Sequence, residues 1–131
     1  MIVIDASAAI ELTLRTVLGE RVEIRALDPN ERLYAPYLLD LEVAQVLRRL
    51  VHLKEITAAR AREALEDFSA LVVERSAHRE LLPRIWELRD SMTAYEGAYV
   101  ALAEALDAPL MTCDGRLARS HGHRATIELL Q

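Results

Sequence analysis

The stretch Ile2-Val3-Ile4-Asp5-Ala6-Ser7 decides the fold of this chain. Its three branched apolar residues are typical of a short buried strand, which Asp5 closes. Ser7 is then predicted to cap a helix that runs through Ala8–Leu12. In α/β sheets, ligands bind beyond the carboxyl ends of the strands, which is where Asp5 falls. The stretch therefore predicts both a sheet and a site at its edge.

The remainder of the chain alternates predicted strands with predicted helices, without repeats or linkers. Further strands are predicted at Leu33–Ala35, Pro109–Thr112 and Thr126–Leu129, and a strand is predicted to start at Leu71-Val72-Val73. Further helices are predicted at Val17–Ala26, Leu38–His52, Ala58–Leu71, Glu80–Arg89, Ala94–Leu106 and Asp114–Arg119. The alternation favours an α/β fold with a parallel or mostly parallel sheet, in which the helices of 38–52 and 58–71 form a hairpin. Trp86 and Tyr99 occupy apolar helix faces and are predicted to be core residues.

Length and composition predict a single domain over residues 1–131. With 52% hydrophobic and 28% charged residues, the composition is that of an ordinary soluble globular protein. No apolar run approaches the roughly 20 residues that span a bilayer, and the first residues lack the basic region of a signal peptide. One cysteine, Cys113, excludes an internal disulfide framework. We therefore expect a cytoplasmic protein with no membrane association.

The overall charge argues against nucleic-acid binding through a broad basic surface. The formal net charge is −5 and the pI is about 5.4, which is the wrong sign for such a surface. An acidic pocket that binds divalent cations escapes this objection, because bound metals invert the charge that a phosphate meets.

Four carboxylates, on Asp5, Glu42, Glu96 and Asp114, lie where apolar segments end or turn. Each of them alone has a purely structural explanation. Asp5 and Asp114 can cap turns or helices, and Glu42 can run its stem along the core with its carboxylate in water. Glu96 completes a capping box with Thr93. Together, however, they supply the oxygen ligands that hard divalent cations prefer.

The segments around these carboxylates resemble, in order, the four motifs of PIN-domain nucleases. The segments are Ile2-Val3-Ile4-Asp5-Ala6-Ser7, Ala35-Pro36-Tyr37-Leu38-Leu39-Asp40-Leu41-Glu42-Val43, Thr93-Ala94-Tyr95-Glu96-Gly97-Ala98-Tyr99-Val100-Ala101-Leu102-Ala103 and Pro109-Leu110-Met111-Thr112-Cys113-Asp114. Their order, spacing and total length are similar to the VapC toxins of toxin–antitoxin modules. The resemblance covers nearly the whole chain and implies a three-layer α/β/α fold with a short, mostly parallel sheet and a protruding helical hairpin.

The resemblance also implies an activity, namely metal-dependent cleavage of RNA, with an antitoxin and a second copy of the chain as protein partners. The catalytic and metal-binding residues would be Asp5, Glu42, Glu96 and Asp114, holding Mg²⁺ or Mn²⁺. Such ions activate water and stabilise charge on a phosphate, so that no nucleophilic side chain is needed. Ser7 and Thr112 are candidates for positioning a water or a carboxylate. Arg116 is a candidate phosphate contact, or else a surface arginine.

Glu96 departs from the family pattern, which usually has aspartate at this position. The extra methylene keeps the charge but moves the oxygens, and Mg²⁺ demands near-ideal octahedral geometry. Asp90 is a possible substitute ligand if the preceding turn bends inward. We expect Glu96 to be the ligand, with activity that its extra length can weaken.

Two other acidic-pocket classes fail on individual residues. A phosphate-receiving signalling domain needs an acidic pair after its first strand and a late lysine, but Ala6 follows Asp5 and the only lysine is Lys54. A haloacid-dehalogenase-type phosphatase needs a second aspartate at position 7, which is serine. The remaining alternative is a catalytically weak PIN-like binding module that mainly binds its antitoxin and contributes to promoter repression.

Overall fold

The computed structural model describes residues 1–131 and contains one five-stranded sheet. The strands are β1 (Ile2–Ile4), β2 (Leu33–Pro36), β3 (Val73–Ser76), β4 (Leu110–Thr112) and β5 (Ile127–Leu129). They lie in the order β3-β2-β1-β4-β5, and every neighbouring pair is parallel. In the centre, Val3 is in register with Tyr34 on one side and Leu110 on the other. The predicted α/β class and parallel sheet are confirmed.

Seven α-helices and one 3-10 turn connect the strands. They are α1 (Ala6–Leu14), α2 (Val17–Ala26), α3 (Leu38–His52), α4 (Ala58–Ala70), the 3-10 turn Arg79–Leu81, α5 (Leu82–Glu87), α6 (Ala94–Leu106) and α7 (Gly115–Ala118). Right-handed crossovers put α1 to α4 on one face of the sheet and α5 with α6 on the other, which gives three layers. The hairpin of α3 and α4 packs on α1, with an exposed tip at residues 53–55. No helix here combines the length and apolarity that crossing a membrane requires.

The core is built around β1, which lies in the middle of the sheet. Ile2, Val3 and Ile4 are all completely buried, because helices cover both faces of the strand. Val43 of α3 and Val100 of α6 reach the same core from the two helical layers. This continuous burial fixes the end of β1, and with it the position of the residue that follows.

The third strand lies two residues later than the sequence pattern predicted. The apolar residues of 71–73 suggested a strand there, but Leu71 ends α4 and Val72 is exposed. The strand instead includes the polar residues 74–76, of which Arg75 pairs with Asp40 at 2.7 Å. An edge strand tolerates such residues because one side of it faces water.

The predicted helix of 80–89 is divided into the 3-10 turn and α5, and its tryptophan is not in the core. Pro83 stands at the start of α5, where its missing N–H costs nothing. Because α5 has only six residues, it buries Ile85 and leaves Trp86 67% exposed. The Arg89 guanidinium lies over the Trp86 ring at 4.8 Å. The interpretation of Trp86 as a core residue was therefore wrong.

Gly19 permits a close approach between α1 and α2. A Cβ added at this position would lie 2.1 Å from the carbonyl oxygen of Glu11. Helix propensity alone predicts that Gly19→Ala stabilises the protein by up to about 1 kcal/mol. We expect instead a loss of about 2 kcal/mol in the free energy of unfolding, because the backbones must separate.

Chemical denaturation of Gly19→Ala measures this effect, and Gly97→Ala is the matched control. The nearest atom to an added Cβ at Gly97 is a methyl carbon of Ile85 at 3.4 Å, an ordinary contact. The control should be neutral or stabilising. Equal behaviour of the two variants would show that the close approach has no energetic consequence.

Candidate active site

The candidate site lies at the carboxyl ends of the two central strands. β1 and β4 are neighbours, with Ile4 in register with Met111, so Asp5 and Asp114 leave the sheet at the same edge. The chain departs from β1 towards β2 and from β4 towards β5, in opposite directions. Such a reversal opens a crevice at the edge of a parallel sheet, and ligands bind there. The predicted convergence of these two aspartates is what the topology produces.

Asp5 is a buried carboxylate, 6% exposed, and it caps α1. Its Oδ1 accepts hydrogen bonds from the Ala8 amide at 3.0 Å and the Ser7 hydroxyl at 2.6 Å. Its Oδ2 accepts one from the Thr112 hydroxyl at 2.5 Å. Burial raises the pKa of Asp5 even though these three hydrogen bonds oppose the shift, and the charge of Asp114 raises it further. The predicted cap was Ser7, which instead donates to the residue that caps.

Ser7 and Thr112 join the ends of β1 and β4. The Ser7 hydroxyl accepts a hydrogen bond from the Cys113 amide at 2.8 Å and lies 3.2 Å from the Thr112 hydroxyl. The Thr112 hydroxyl accepts one from the Asp114 amide at 2.9 Å. Each hydroxyl thus donates to the Asp5 carboxylate and accepts from the backbone beyond β4. Both hydroxyls, which the sequence predicts to position a water or a carboxylate, therefore contact the Asp5 carboxylate.

Glu42 enters the site from α3 and is half-buried. Its Oε1 accepts a hydrogen bond of 2.6 Å from the phenolic hydroxyl of Tyr99 on α6. Burial raises the pKa of Glu42 in spite of this bond, and the charges of Asp5 and Glu96 add to the shift. Tyr99 is a core residue as predicted, but its hydroxyl contact with the site was missed. Its spacing of three residues from Glu96, which places both on one face of a helix, was the available signal.

Glu96 lies at the start of α6 and is engaged by two partners. Its Oε2 accepts a hydrogen bond from the Thr93 amide at 3.0 Å, and the Thr93 hydroxyl accepts one from the Glu96 amide at 3.1 Å. This is the predicted capping box. Its Oε1 pairs with the guanidinium of Arg116. The same guanidinium lies 3.7 Å from Oδ2 of Asp114, which caps α7 through Oδ1.

All four carboxylates line one cavity of about 380 Å³. Arg116 lines it too, together with Arg49, which lies two turns beyond Glu42 on α3. Arg49 was not predicted from the sequence, although its position seven residues after Glu42 puts it on the same helix face. Asp90 lies elsewhere, in a neighbouring cavity of about 420 Å³ that Glu96 and Arg116 also line. The Glu96–Arg116 pair is therefore the wall between the two cavities.

The donor chemistry of the cavity fits a hard divalent cation. A carboxylate offers about four acceptor sites. Asp5 has three of them occupied, whereas Glu42 and Asp114 each accept one hydrogen bond. In this arrangement no three acidic, histidine or cysteine side chains surround a common point as ligands of one ion.

Comparisons with known sequences identify relatives over nearly the full length of the chain. A family model described as the PIN domain matches residues 2–121. The ribonuclease VapC12 of Mycobacterium tuberculosis is 45% identical over 130 residues, which is 99% of each chain. The ribonuclease VapC9 of the same organism is 45% identical over 117 residues, 89% of this chain and 88% of the relative. The ribonuclease VapC1 is 39% identical over 130 residues, 98% and 97% of the two chains.

A solved structure shares the fold. The crystal structure of PAE2754 from Pyrobaculum aerophilum superimposes with a TM-score of 0.66, covering 95% of this chain and 89% of that chain. The sequence identity is 22%, so this similarity concerns the fold alone. It agrees with the three-layer arrangement around a short parallel sheet.

Proposed function

This chain belongs to the PIN domain family, and from that premise we propose that it is a metal-dependent endoribonuclease, the toxin of a toxin–antitoxin pair. The observation that carries the proposal is the convergence of four carboxylates from four separate segments on one cavity. Relatives called ribonucleases, 45% identical along the chain, support RNA as the substrate. The reaction is hydrolysis of a phosphodiester bond.

We assign Asp5, Glu42 and Asp114 as ligands of Mg²⁺ or Mn²⁺, because each keeps unoccupied acceptor sites. Glu96 is assigned as a further ligand, directly or through water. A bound divalent cation lowers the pKa of a water and stabilises negative charge on the phosphate and the leaving oxygen. Ser7 and Thr112 hold the Asp5 carboxylate in one orientation, so that little reorganisation accompanies ion binding.

Two arginines that line the cavity are assigned to the RNA backbone. Arg49 approaches from α3, and Arg116 approaches from α7. Guanidinium groups bind phosphate oxygens through paired hydrogen bonds, which fixes the strand without reading its sequence. These two residues supply local positive charge in a chain whose net charge is −5. To contact a phosphate, the Arg116 guanidinium must first release its ion pair with Glu96.

We further propose that the chain acts in the cytoplasm as one PIN-like domain over residues 1–131, without membrane association. Its protein partners are a cognate antitoxin and a second copy of itself in a homodimer. The VapC names of its relatives support the antitoxin partner.

The test is cleavage of total cellular RNA by the purified, antitoxin-free chain. Parallel reactions contain Mg²⁺, Mn²⁺ or a chelator, and the products are mapped by sequencing of their ends. Discrete fragments that require a divalent cation are expected. Cleavage that persists in the chelator would contradict the metal-dependent mechanism.

A second candidate function has one observation in its favour. Because Thr93 and Arg116 hold both oxygens of Glu96, the chain can also be viewed as a catalytically weak binding module. Its main role would then be to bind an antitoxin and contribute to promoter repression. Folded protein that binds the antitoxin yet cleaves no RNA with either metal would favour this function.

Glu96→Asp is expected to increase RNA cleavage several-fold and to reduce stability by about 1 kcal/mol. The shorter side chain no longer reaches back to the Thr93 amide, so the capping box is lost and the carboxylate is released from this contact. Cleavage rate and thermal unfolding are measured on the same preparation. Glu96→Gln is the control, because glutamine keeps the capping box while removing the charge and should lower the rate. A drop in cleavage with Glu96→Asp would mean that the glutamate length suits this site.

A further inference from the structure

Tyr99 connects the core of the protein with one carboxylate of the candidate site. Its ring is 3% exposed and packs within the main hydrophobic cluster. Its hydroxyl emerges from that cluster and donates to Oε1 of Glu42 at 2.6 Å. The bond crosses between α6 and α3, which approach the sheet from opposite faces. One rigid aromatic side chain therefore reaches from the core to the wall of the cavity.

The hydrogen bond of Tyr99 differs from that of an ordinary buried tyrosine in its acceptor. A buried tyrosine hydroxyl needs a partner, and a backbone carbonyl would meet that need equally well. Here the partner is a carboxylate that lines the cavity. Glu42 makes no other hydrogen bond and no ion pair, so Tyr99 is the only group that fixes its carboxylate.

A fixed carboxylate matters because glutamate is flexible. Ordering its side chain costs rotamer entropy, and an unrestrained Glu42 would meet this cost on binding an ion. The Tyr99 hydroxyl occupies one acceptor site of Oε1 and leaves Oε2 open. Glu42 is thereby oriented in advance while it keeps acceptor sites for a cation.

We propose that Tyr99 is a positioning residue that orients the Glu42 carboxylate for binding of a divalent cation. The inference rests on the proposed function and extends it to a residue outside the carboxylate set. Two residues on the same face of α6 then contribute to the site, namely Glu96 and, three residues later, Tyr99. Residues that orient metal ligands in this way contribute about 10- to 100-fold to metal affinity or activity.

The test is calorimetric titration of Mn²⁺ into the full chain and its Tyr99→Phe variant. Phenylalanine keeps the buried ring and removes only the hydroxyl, so the fold is retained, and thermal unfolding verifies this. Mn²⁺ affinity should fall about tenfold. Tyr34→Phe is the matched control, because Tyr34 is a partly buried tyrosine on β2 without a hydrogen bond to any carboxylate. It should bind Mn²⁺ as the unmodified chain does.

A double-mutant cycle with Glu42→Gln shows whether the effect passes through Glu42. If Tyr99 acts by orienting that carboxylate, Tyr99→Phe should change Mn²⁺ affinity no further once the carboxylate is gone. Unchanged Mn²⁺ affinity in Tyr99→Phe, or an equal loss in both backgrounds, overturns the inference and leaves the proposed function standing. A full chain that binds no Mn²⁺ overturns both.

Discussion

Asp5→Asn is expected to lower the rate of metal-dependent RNA cleavage about a thousandfold, a loss of about 4 kcal/mol in transition-state stabilisation, while the fold remains intact. Asparagine is as good a helix cap as aspartate, so α1 keeps its start. Its oxygen accepts the bonds from Ser7 and Ala8, and its amide donates to Thr112 in place of accepting. The substitution therefore removes the negative charge and reverses the direction of the Thr112 hydrogen bond. Single-turnover cleavage with Mg²⁺ or Mn²⁺ measures the effect.

Stability should move in the opposite direction from activity. Because the pKa of Asp5 is raised in the folded protein, its ionised form opposes folding. The favourable contribution of its protonated form is complete below the ordinary value of 3.8 and is lost as the pH rises through the raised pKa. Asp5→Asn lacks this titration, so at neutral pH it should be at least as stable as the original chain.

Asp107→Asn is the control for this substitution. Asp107 is exposed at the end of α6, in a left-handed conformation that asparagine also tolerates. Cleavage and stability should both remain unchanged. If Asp5→Asn retained cleavage close to that of the control, Asp5 would not be a ligand.

Glu104→Gln is expected to lower the free energy of unfolding by about 3 kcal/mol. The side chain of Glu104 is 4% exposed and accepts two hydrogen bonds from the Arg84 guanidinium, at 2.8 and 2.9 Å. It also accepts one from the Arg124 amide, which ties the last loop to α6. The Arg84 contact lowers the pKa of Glu104 to about 2. Glutamine leaves the guanidinium facing an N–H group. Urea denaturation at neutral pH measures the loss.

The pH dependence gives this prediction a second test. The folded pKa of Glu104 is below its ordinary value of 4.5, so its stabilising contribution is complete above pH 4.5. It disappears as the pH falls towards 2, and the difference between the original chain and Glu104→Gln should shrink over that window. Glu87→Gln is the control, because Glu87 pairs with the same Arg84 but is 64% exposed. It should cost less than about 0.5 kcal/mol.

The fold could be predicted from the sequence because each strand and helix near the sheet edge has a strong local sequence pattern. Val17–Ala26, Leu38–His52 and Ala94–Leu106 have the predicted bounds, since apolar spacing and caps agree there. The start of β3 was predicted two residues too early, and the prediction of Trp86 as a core residue was wrong. A strand rich in polar residues is stable only because β2 pairs with it.

The candidate site was predictable in its residues and less so in its contacts. The positions of Asp5 and Asp114 follow from the predicted ends of two strands. The capping box of Glu96 follows from its spacing of three residues from Thr93. The pairing of Glu96 with Arg116 joins residues 20 positions apart, and the Tyr99 bond to Glu42 spans 57 positions. Such contacts depend on how helices that are separate in sequence meet at the sheet edge. Local sequence patterns contain no information about how these helices pack against one another.

The adjacency of β1 and β4 also has a consequence for biosynthesis. Asp5 and Thr112 are hydrogen-bonded although 107 positions separate them in the chain. At about 5–20 residues per second, a ribosome needs roughly 5 to 20 seconds to make the intervening segment. Until β4 has left the ribosome and paired with β1, the cavity lacks one wall and Asp114. The site is therefore complete only after β4 has been made, so the activity proposed above cannot begin on a shorter nascent chain.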